Sequence, residues 1–188
     1  GSILAITFTN KASNEMKERI DKLLETKSIQ PTMGTFHSIC LRILRKEIPL
    51  LGYKSNFSIF DTNDQISLVK KVMAGLEIDP KKYNPNLILN KISKLKTDLI
   101  FPENYSPTDF FAKIISRVYN GYQSELKRMN GLDFDDLIVL TVKIFKQNPE
   151  ILEKYHNFWK YILVDEYQDT SHDQYTLVKL LSSKNRNI

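Results

Sequence analysis

Cysteine is almost absent from the sequence, which contains only Cys40 among 188 residues. A single thiol excludes a disulfide within the chain and a zinc site built on several cysteines, and it is typical of a reducing compartment. No apolar run approaches the roughly 20 residues that a membrane-spanning helix needs, and no segment resembles a secretory signal peptide. We therefore expect a cytoplasmic protein without a membrane partner.

Glycine is also scarce, and none of the six glycines is followed by lysine. This excludes from the chain the motif G-x-x-x-x-G-K-[ST], the loop that binds the phosphates of a nucleotide in many ATPases. Any nucleotide site in this chain would therefore lack its usual partner for the β- and γ-phosphates.

The composition is that of a folded and moderately basic protein. Hydrophobic residues make up 41% of the chain, which is enough for a packed core. Lys and Arg number 27 against 22 Asp and Glu, giving a net charge of +5. This excess mildly favours a polyanionic partner such as nucleic acid.

The first 50 residues show an alternating strand and helix pattern. Residues 3–8 form an apolar, β-branched run that predicts a buried parallel strand, and Asn10 is a candidate N-cap for the helix that follows. Residues 32–36 predict a second short strand, and apolar residues at helical spacing from Phe36 onward predict a second helix. A β-α-β-α order favours a parallel sheet.

The middle of the chain is predicted to be helical throughout. Helices are predicted over 62–75, 85–97 and 107–129, with no convincing strand between residues 55 and 131. Lysines are frequent here and are expected on solvated helix faces, where they could contact nucleic-acid phosphates: Lys70, Lys71, Lys81, Lys82, Lys91, Lys94 and Lys96.

The last part of the chain returns to strand and helix. Helices are predicted over 133–147 and 149–156, followed by a strand over 160–164, and "NI" at 187–188 could begin another strand. Ser171 and Gln174 have the spacing of a capping box for a final helix. The predicted fold class is α/β, with a partial parallel sheet formed by residues 1–54 and 132–188 and interrupted by an α-helical insertion, residues 55–131.

Acidic residues follow the predicted strand in "YILVDEYQDT", residues 161–170. Ligands of open α/β sheets bind beyond the carboxyl ends of the strands. Asp165 and Glu166 at such an end match the Walker B arrangement, in which Asp holds Mg²⁺ near the phosphates and Glu orients or deprotonates water. The alternative is that they are solvated acids at a strand end.

Two other strand ends carry residues suited to nucleic acid. "ITFTNKA" offers Phe8 for stacking on a base, and Thr9, Asn10 and Lys11 for a phosphate at a helix start. "GTFHS" repeats the pattern with Thr35, Phe36 and His37. Simple helix capping and core packing are the alternatives for both segments.

The segment "LDFDDLI", residues 132–138, contains three acids. A metal cluster is possible, but capping is the better interpretation, because Asp133 fits an N-cap and Asp135 and Asp136 fit the first helical turn. Phe134 is not explained by capping and is a candidate for exposure.

Together, four segments resemble motifs of the UvrD/Rep/PcrA group of superfamily 1 DNA helicases. "ILAITFTNKASNEMKERI" is similar to motif Ia, and "GTFHSICLRILR" to motif Ib. "LDFDDLI" is similar to the segment before motif II, and "YILVDEYQDTSHDQYTLVKLL" to motif II itself. The resemblance implies most of the first of two RecA-like motor domains, of P-loop NTPase type, with its all-α accessory subdomain.

The resemblance also implies roles for individual residues. Asp165 would bind Mg²⁺, Glu166 would activate water, and Gln168 and Asp169 would connect the ATP site to the DNA site. The residues implied in binding single-stranded DNA are Phe8, Thr9, Asn10, Lys11, Thr35, Phe36, His37 and Phe134.

By resemblance, the parent protein is a bacterial, nucleoid-associated, ATP-dependent helicase that moves 3′→5′ on single-stranded DNA and acts at junctions with duplex. ATP and Mg²⁺ would be its cofactors. Without the phosphate loop and the second motor domain, this chain is expected to be inactive and to bind them weakly. We expect the natural protein to extend beyond both ends of the chain.

Three further hypotheses remain open at this stage. The chain could be a metal-dependent nuclease that uses Asp165, Glu166 and Asp169, or a non-catalytic module that binds nucleic acid. Exposed edges of a partial sheet could also lead copies of the chain to associate.

Overall fold

The computed structural model describes residues 2–24 and 30–188. Within these residues the helices and strands alternate at both ends of the chain, and helices dominate its middle. In chain order they are β1 Ile3–Thr7, α1 Asn10–Leu23, β2 Thr32–Thr35, α2 Phe36–Glu47, β3 Ser58–Ile59, α3 Thr62–Gly75, α4 Pro85–Thr97, α5 Phe110–Arg128, β4 Gly131–Leu132, α6 Phe134–Gln147, α7 Pro149–Phe158, β5 Tyr161–Val164 and α8 His172–Ser182.

The main sheet is parallel and has the strand order β2-β1-β5. β1 lies in the centre, with Thr7 paired with Thr35 of β2 and Ile6 paired with Val164 of β5. Leu4, Ala5 and Ile6 of β1 are buried, as its hydrophobic run predicts, whereas Ile3 at the start of the strand is exposed. The α/β fold class with a small parallel sheet is therefore confirmed.

Two separate hydrophobic clusters hold the chain together. The first joins the main sheet to α2, α6 and α8, and α6 lies in its middle with buried residues on several faces. The second is formed mainly by α3, α4 and α5, with Ile78 from the segment between α3 and α4. The helical insertion therefore has a core of its own, which explains why its helices show clear amphipathic periodicity in the sequence.

A short strand pair that the sequence did not predict lies at the base of the insertion. Ser58–Ile59 pairs in parallel with Gly131–Leu132, and the Phe60 N–H donates to the Leu132 carbonyl at 2.8 Å. Two residues are too few to show strand periodicity. Gly131 allows the close approach, because a Cβ there would lie 2.5 Å from the Phe60 ring.

Three local predictions were wrong. The N-cap of α1 is Thr9, whose Oγ1 accepts from the Ala12 N–H at 3.1 Å, and Asn10 is the first helical residue. Helix α5 begins at Phe110 rather than at 107, because Asp109 caps it. Lys96 does not lie on a solvated face and is only 1% exposed, because it pairs with two carboxylates described below.

The end of the chain approaches β5 without forming an assigned strand. Residues 187–188 have no regular secondary structure, yet the Ile162 N–H donates to the Asn187 carbonyl at 2.9 Å. The capping box of α8 is present, with the Ser171 N–H donating to Gln174 Oε1 at 3.1 Å. Among the described residues, no helix combines the length and apolar character needed to cross a membrane.

Candidate functional site

The carboxyl ends of the three parallel strands meet at one edge of the main sheet. The pairings of Thr7 with Thr35 and of Ile6 with Val164 place the ends almost level with one another. Residues 8–11, 35–37 and 165–166 therefore leave the sheet at the same edge. This is where open α/β sheets bind their ligands, and we call these three segments the sheet-edge site.

Asp165 and Glu166 lie at the end of β5 and are both exposed. The Asp165 N–H still donates to the Ile6 carbonyl at 3.0 Å, so its backbone stays in register with β1. Glu166 has a left-handed backbone, with φ 50° and ψ 44°. Residues other than glycine rarely adopt this conformation, and such strain clusters at functional sites.

The chain turns immediately after these acids. A 3₁₀ turn, Tyr167–Asp169, follows Glu166, and Gln168 Nε2 donates to Glu166 Oε2. This contact places Gln168 directly beside the Glu166 carboxylate. Asp169 is exposed in the same turn, with its N–H donating to the Glu166 carbonyl at 3.0 Å.

The acids after β5 suit a magnesium site shared with water and phosphates better than a site made wholly of protein ligands. Mg²⁺ usually keeps several waters and takes one or two carboxylates together with substrate phosphates. A single exposed carboxylate such as that of Asp165 suits this arrangement. A site made wholly of protein ligands is less well matched, because within residues 2–24 and 30–188 no three His, Cys, Asp or Glu side chains converge to hold a metal.

The segment after β1 presents polar groups around a half-buried aromatic ring. Thr9, Asn10 and Lys11 are exposed at the start of α1, where backbone N–H groups of the first turn lack helical partners. Phe8 is half-buried and contacts Phe36 edge to face, with ring centroids 5.5 Å apart. Both polar and stacking groups are therefore available at this end of the sheet.

The segment after β2 is more enclosed. Thr35 is 8% exposed and caps α2, its Oγ1 accepting from the Ser38 N–H at 3.3 Å. Phe36 is 1% exposed, so its ring supports Phe8 rather than presenting a surface of its own. His37 is half-buried, and burial lowers the pKa of its imidazole despite the opposing charge of Asp173.

A fourth segment adds an exposed aromatic residue to the sheet-edge site. Phe134 begins α6 and is 52% exposed. Its ring lies edge to face with His37, at a centroid distance of 6.0 Å. The structure thus brings Phe134 against His37 and Phe8 against Phe36, in each case joining residues that are far apart in the sequence.

Sequence reasoning missed the buried ion pairs behind Phe134. Lys96 of α4 donates to Asp133 at 2.7 Å and to Asp136 at 2.8 Å. The capping of α6 by Asp133 was predicted and is observed. Lys96 lies four residues after Ile92 and eight after Ile88, on the buried stripe of α4, and this helical spacing is the signal that could have distinguished it from the exposed lysines of the insertion.

An apolar groove adjoins the acidic end of the site. It has a volume of about 760 Å³ and lies between α1 and β5, with Met16, Ile20, Leu163, Tyr167 and Ile188 among its lining residues. No residue of α1 is fully buried. The apolar face of this helix is therefore only partly covered in the described part of the chain.

Comparisons with known proteins match the whole chain to one family. The family model for the UvrD/REP helicase N-terminal domain matches residues 1–188. Two similar relatives are the ATP-dependent DNA helicases PcrA of Staphylococcus aureus (strain Mu50 / ATCC 700699), 48% identical, and of Staphylococcus epidermidis (strain ATCC 12228 / FDA PCI 1200), 47% identical. Each alignment covers 100% of this chain and 26% of the relative, so the chain spans about a quarter of their length. The chain belongs to the UvrD/REP helicase N-terminal domain family.

Proposed function

We propose that this chain is part of an ATP-dependent DNA helicase that moves 3′→5′ along single-stranded DNA and unwinds duplex at a junction, in the cytoplasm of a bacterium. The main support is the sheet-edge site, in which an acidic strand end and two polar, aromatic strand ends share one margin of a parallel sheet. The names of the relatives, ATP-dependent DNA helicases, point in the same direction.

In this proposal the acidic end of the site serves ATP hydrolysis. Mg²⁺, bound through Asp165, would neutralise charge on the nucleotide phosphates. Glu166 would accept a proton from the attacking water, and its exposure leaves the carboxylate accessible. Gln168 bonds Glu166, so Gln168 and Asp169 are suited to transmit a change at the nucleotide to the rest of the sheet edge.

The other two strand ends, with Phe134, would bind DNA. Thr9, Asn10, Lys11 and Thr35 lie at helix starts, where free N–H groups and hydroxyls suit phosphates. Phe8, His37 and Phe134 offer aromatic surface for bases, with Phe36 behind Phe8. The exposed lysines of the insertion would approach the duplex.

We also propose the domain division predicted from the sequence, residues 1–54 and 132–188 for the motor domain and 55–131 for the insertion. The separate hydrophobic cluster of α3, α4 and α5 supports it. A nuclease is less well supported, because Asp165, Glu166 and Asp169 do not form a three-ligand cluster in the described residues.

Replacing Phe134 with Ala tests the DNA-binding role. Base stacking on an aromatic side chain contributes about 1–3 kcal/mol per base, so F134A is expected to weaken binding of a short single-stranded oligonucleotide by roughly 5- to 150-fold. Fluorescence anisotropy of a labelled oligonucleotide at fixed salt measures the change.

Phe158 provides a matched control for this test. It is 54% exposed, nearly the same as Phe134, but it ends α7 just before β5 begins, at the opposite end of the strand from Asp165. F158A is expected to leave the affinity unchanged. Equal losses in both variants would contradict a specific base contact at Phe134.

We further propose that copies of the chain associate through the uncovered side of the sheet. Tyr161 and Leu163 of β5 are 52% and 58% exposed, and both lie on the same face of that strand. Multi-angle light scattering is expected to give a mass above that of one chain, and L163K is expected to restore the monomer mass. A monomer at high concentration for the unmodified chain would contradict association.

A further inference from the structure

A buried lysine joins the insertion to the start of α6. Lys96 of α4 is 1% exposed, and its ammonium donates to Asp133 Oδ2 at 2.7 Å and to Asp136 Oδ1 at 2.8 Å. The Tyr122 hydroxyl of α5 donates to the same Asp133 oxygen at 2.9 Å. Two helices of the insertion therefore hold two residues at one helix start.

The two carboxylates divide their oxygens between this contact and helix capping. Asp133 Oδ1 accepts from the Asp136 N–H at 2.9 Å, and Asp136 Oδ2 accepts from the Asp133 N–H at 3.2 Å. Lys96 binds the remaining oxygen of each carboxylate. The capping box and the ion pairs thus form one unit, and moving the ammonium would disturb both ends of the box.

The electrostatics keep this unit charged. Burial disfavours the ammonium, but the two carboxylates outweigh that cost and raise the pKa of Lys96 above its usual value. Burial and the charge of Asp133 raise the pKa of Asp136 to about 6. The ammonium is therefore the group that allows two acids to remain side by side in a dry environment.

Phe134 lies between the two acids in the sequence and is the first residue of α6. On one side its backbone follows β4, which pairs with β3, and on the other it enters the capped helix. These constraints fix the direction in which its exposed ring leaves the chain, beside His37. Lys96 itself does not reach the surface.

We propose that Lys96 is a positioning residue for DNA binding: it fixes the start of α6 so that Phe134 and His37 together present an aromatic surface to a base of single-stranded DNA. The inference rests on the proposed function, because it depends on contact between Phe134 and DNA. Through Lys96, the insertion supports the DNA-binding surface even where its own residues do not contact the DNA.

The test is a cycle of four proteins: the unmodified 188-residue chain, K96M, F134A and the double variant. Dissociation constants for a short oligodeoxythymidine are measured by anisotropy, with circular dichroism confirming that each protein is folded. F134A and K96M are each expected to weaken binding by about tenfold, within the range of a lost base stack. The double variant is expected to bind no more weakly than F134A alone, because Lys96 acts through Phe134.

Lys179 provides a control for the loss of positive charge. It is exposed in the last turn of α8, at the end of that helix farther from Asp165, so K179M removes an equal charge without touching the start of α6. Its affinity for the oligonucleotide is expected to stay within about twofold of the unmodified chain, since one exposed lysine at a distance contributes little. An equal loss in K179M and K96M would overturn the inference.

The outcomes separate this inference from the proposed function. If F134A alone has no effect, the base contact fails, and the inference fails with it. If F134A weakens binding, and K96M weakens the binding of the F134A variant as much as it weakens that of the unmodified chain, the inference fails and the proposed function stands. Where K96M is unfolded, K96Q replaces it, since this variant removes the charge of Lys96 but keeps an N–H donor for the two carboxylates. A several-fold loss that disappears in the F134A background supports the inference, and no loss overturns it.

Discussion

Glu166→Gln in the full-length protein that contains this chain is expected to lower DNA-stimulated ATP hydrolysis by roughly 10²- to 10⁴-fold, the usual contribution of a positioned general base. Gln has nearly the same size and can still bond Gln168, so the turn after β5 should persist. It cannot accept a proton from water at neutral pH. Phosphate release in the presence of single-stranded DNA measures the change.

Two controls make this result specific. E150Q alters an exposed acid in the first turn of α7, before β5 begins, and is expected to leave hydrolysis unchanged. The affinity of E166Q for single-stranded DNA should match that of the unmodified protein, because the DNA-binding segments follow the other two strands. A loss of DNA binding equal to the loss of turnover would indicate a folding defect instead.

The 188-residue chain alone provides a further check. It contains no G-x-x-x-x-G-K-[ST] segment, so nothing in it can hold the β- and γ-phosphates in the usual way. We expect no ATP turnover above background, with or without DNA. Robust turnover by this chain that survives E166Q would contradict the assignment of the hydrolytic site to the end of β5.

The sequence predicted most of the regular structure because the signals for it are local. Helices α3 and α4 occur over the predicted residues, since each has a capping residue at its start and an apolar stripe along its length. The strands of the main sheet were visible as short apolar runs. Their parallel order followed from the alternation with helices.

The failures occur where the deciding contact comes from elsewhere in the chain. The β3 and β4 pair depends on Gly131 meeting Phe60 across the base of the insertion. Lys96 is buried because two acids from another helix surround it. The helical spacing of Ile88, Ile92 and Lys96 places this lysine on the buried face of α4, but its acidic partners are distant in the sequence, so periodicity does not identify them.

The sequence predicted where the candidate site lies, but it did not predict which of its side chains are exposed. The carboxyl ends of parallel strands lie at one edge of a sheet. The strands predicted from the sequence therefore place residues 8–11, 35–37 and 165–166 at the same edge. Which aromatic rings are exposed there depends on packing. Phe36 is buried against Phe8, whereas Phe134 remains open beside His37.

Lys96→Met is expected to lower the free energy of unfolding by about 3–5 kcal/mol, the usual result of removing one partner from a buried ion pair. Met fills a similar volume, so the loss comes from leaving Asp133 and Asp136 without a counter-charge at less than 2% exposure. Urea unfolding followed by circular dichroism measures it. K94M, at an exposed position on the same helix, should stay within about 0.5 kcal/mol of the unmodified chain.

The source of this loss can be tested by removing the charge of the acids as well. In the triple variant K96M/D133N/D136N, the helix start is still capped, because asparagine is as good an N-cap as aspartate, and no carboxylate remains buried at this point. Replacing a whole buried ionic cluster with neutral groups is often tolerated, so the triple variant should recover more than half of the stability that K96M loses. If it is no more stable than K96M, packing around the lysine stem rather than uncompensated charge holds α4 and α5 to the start of α6.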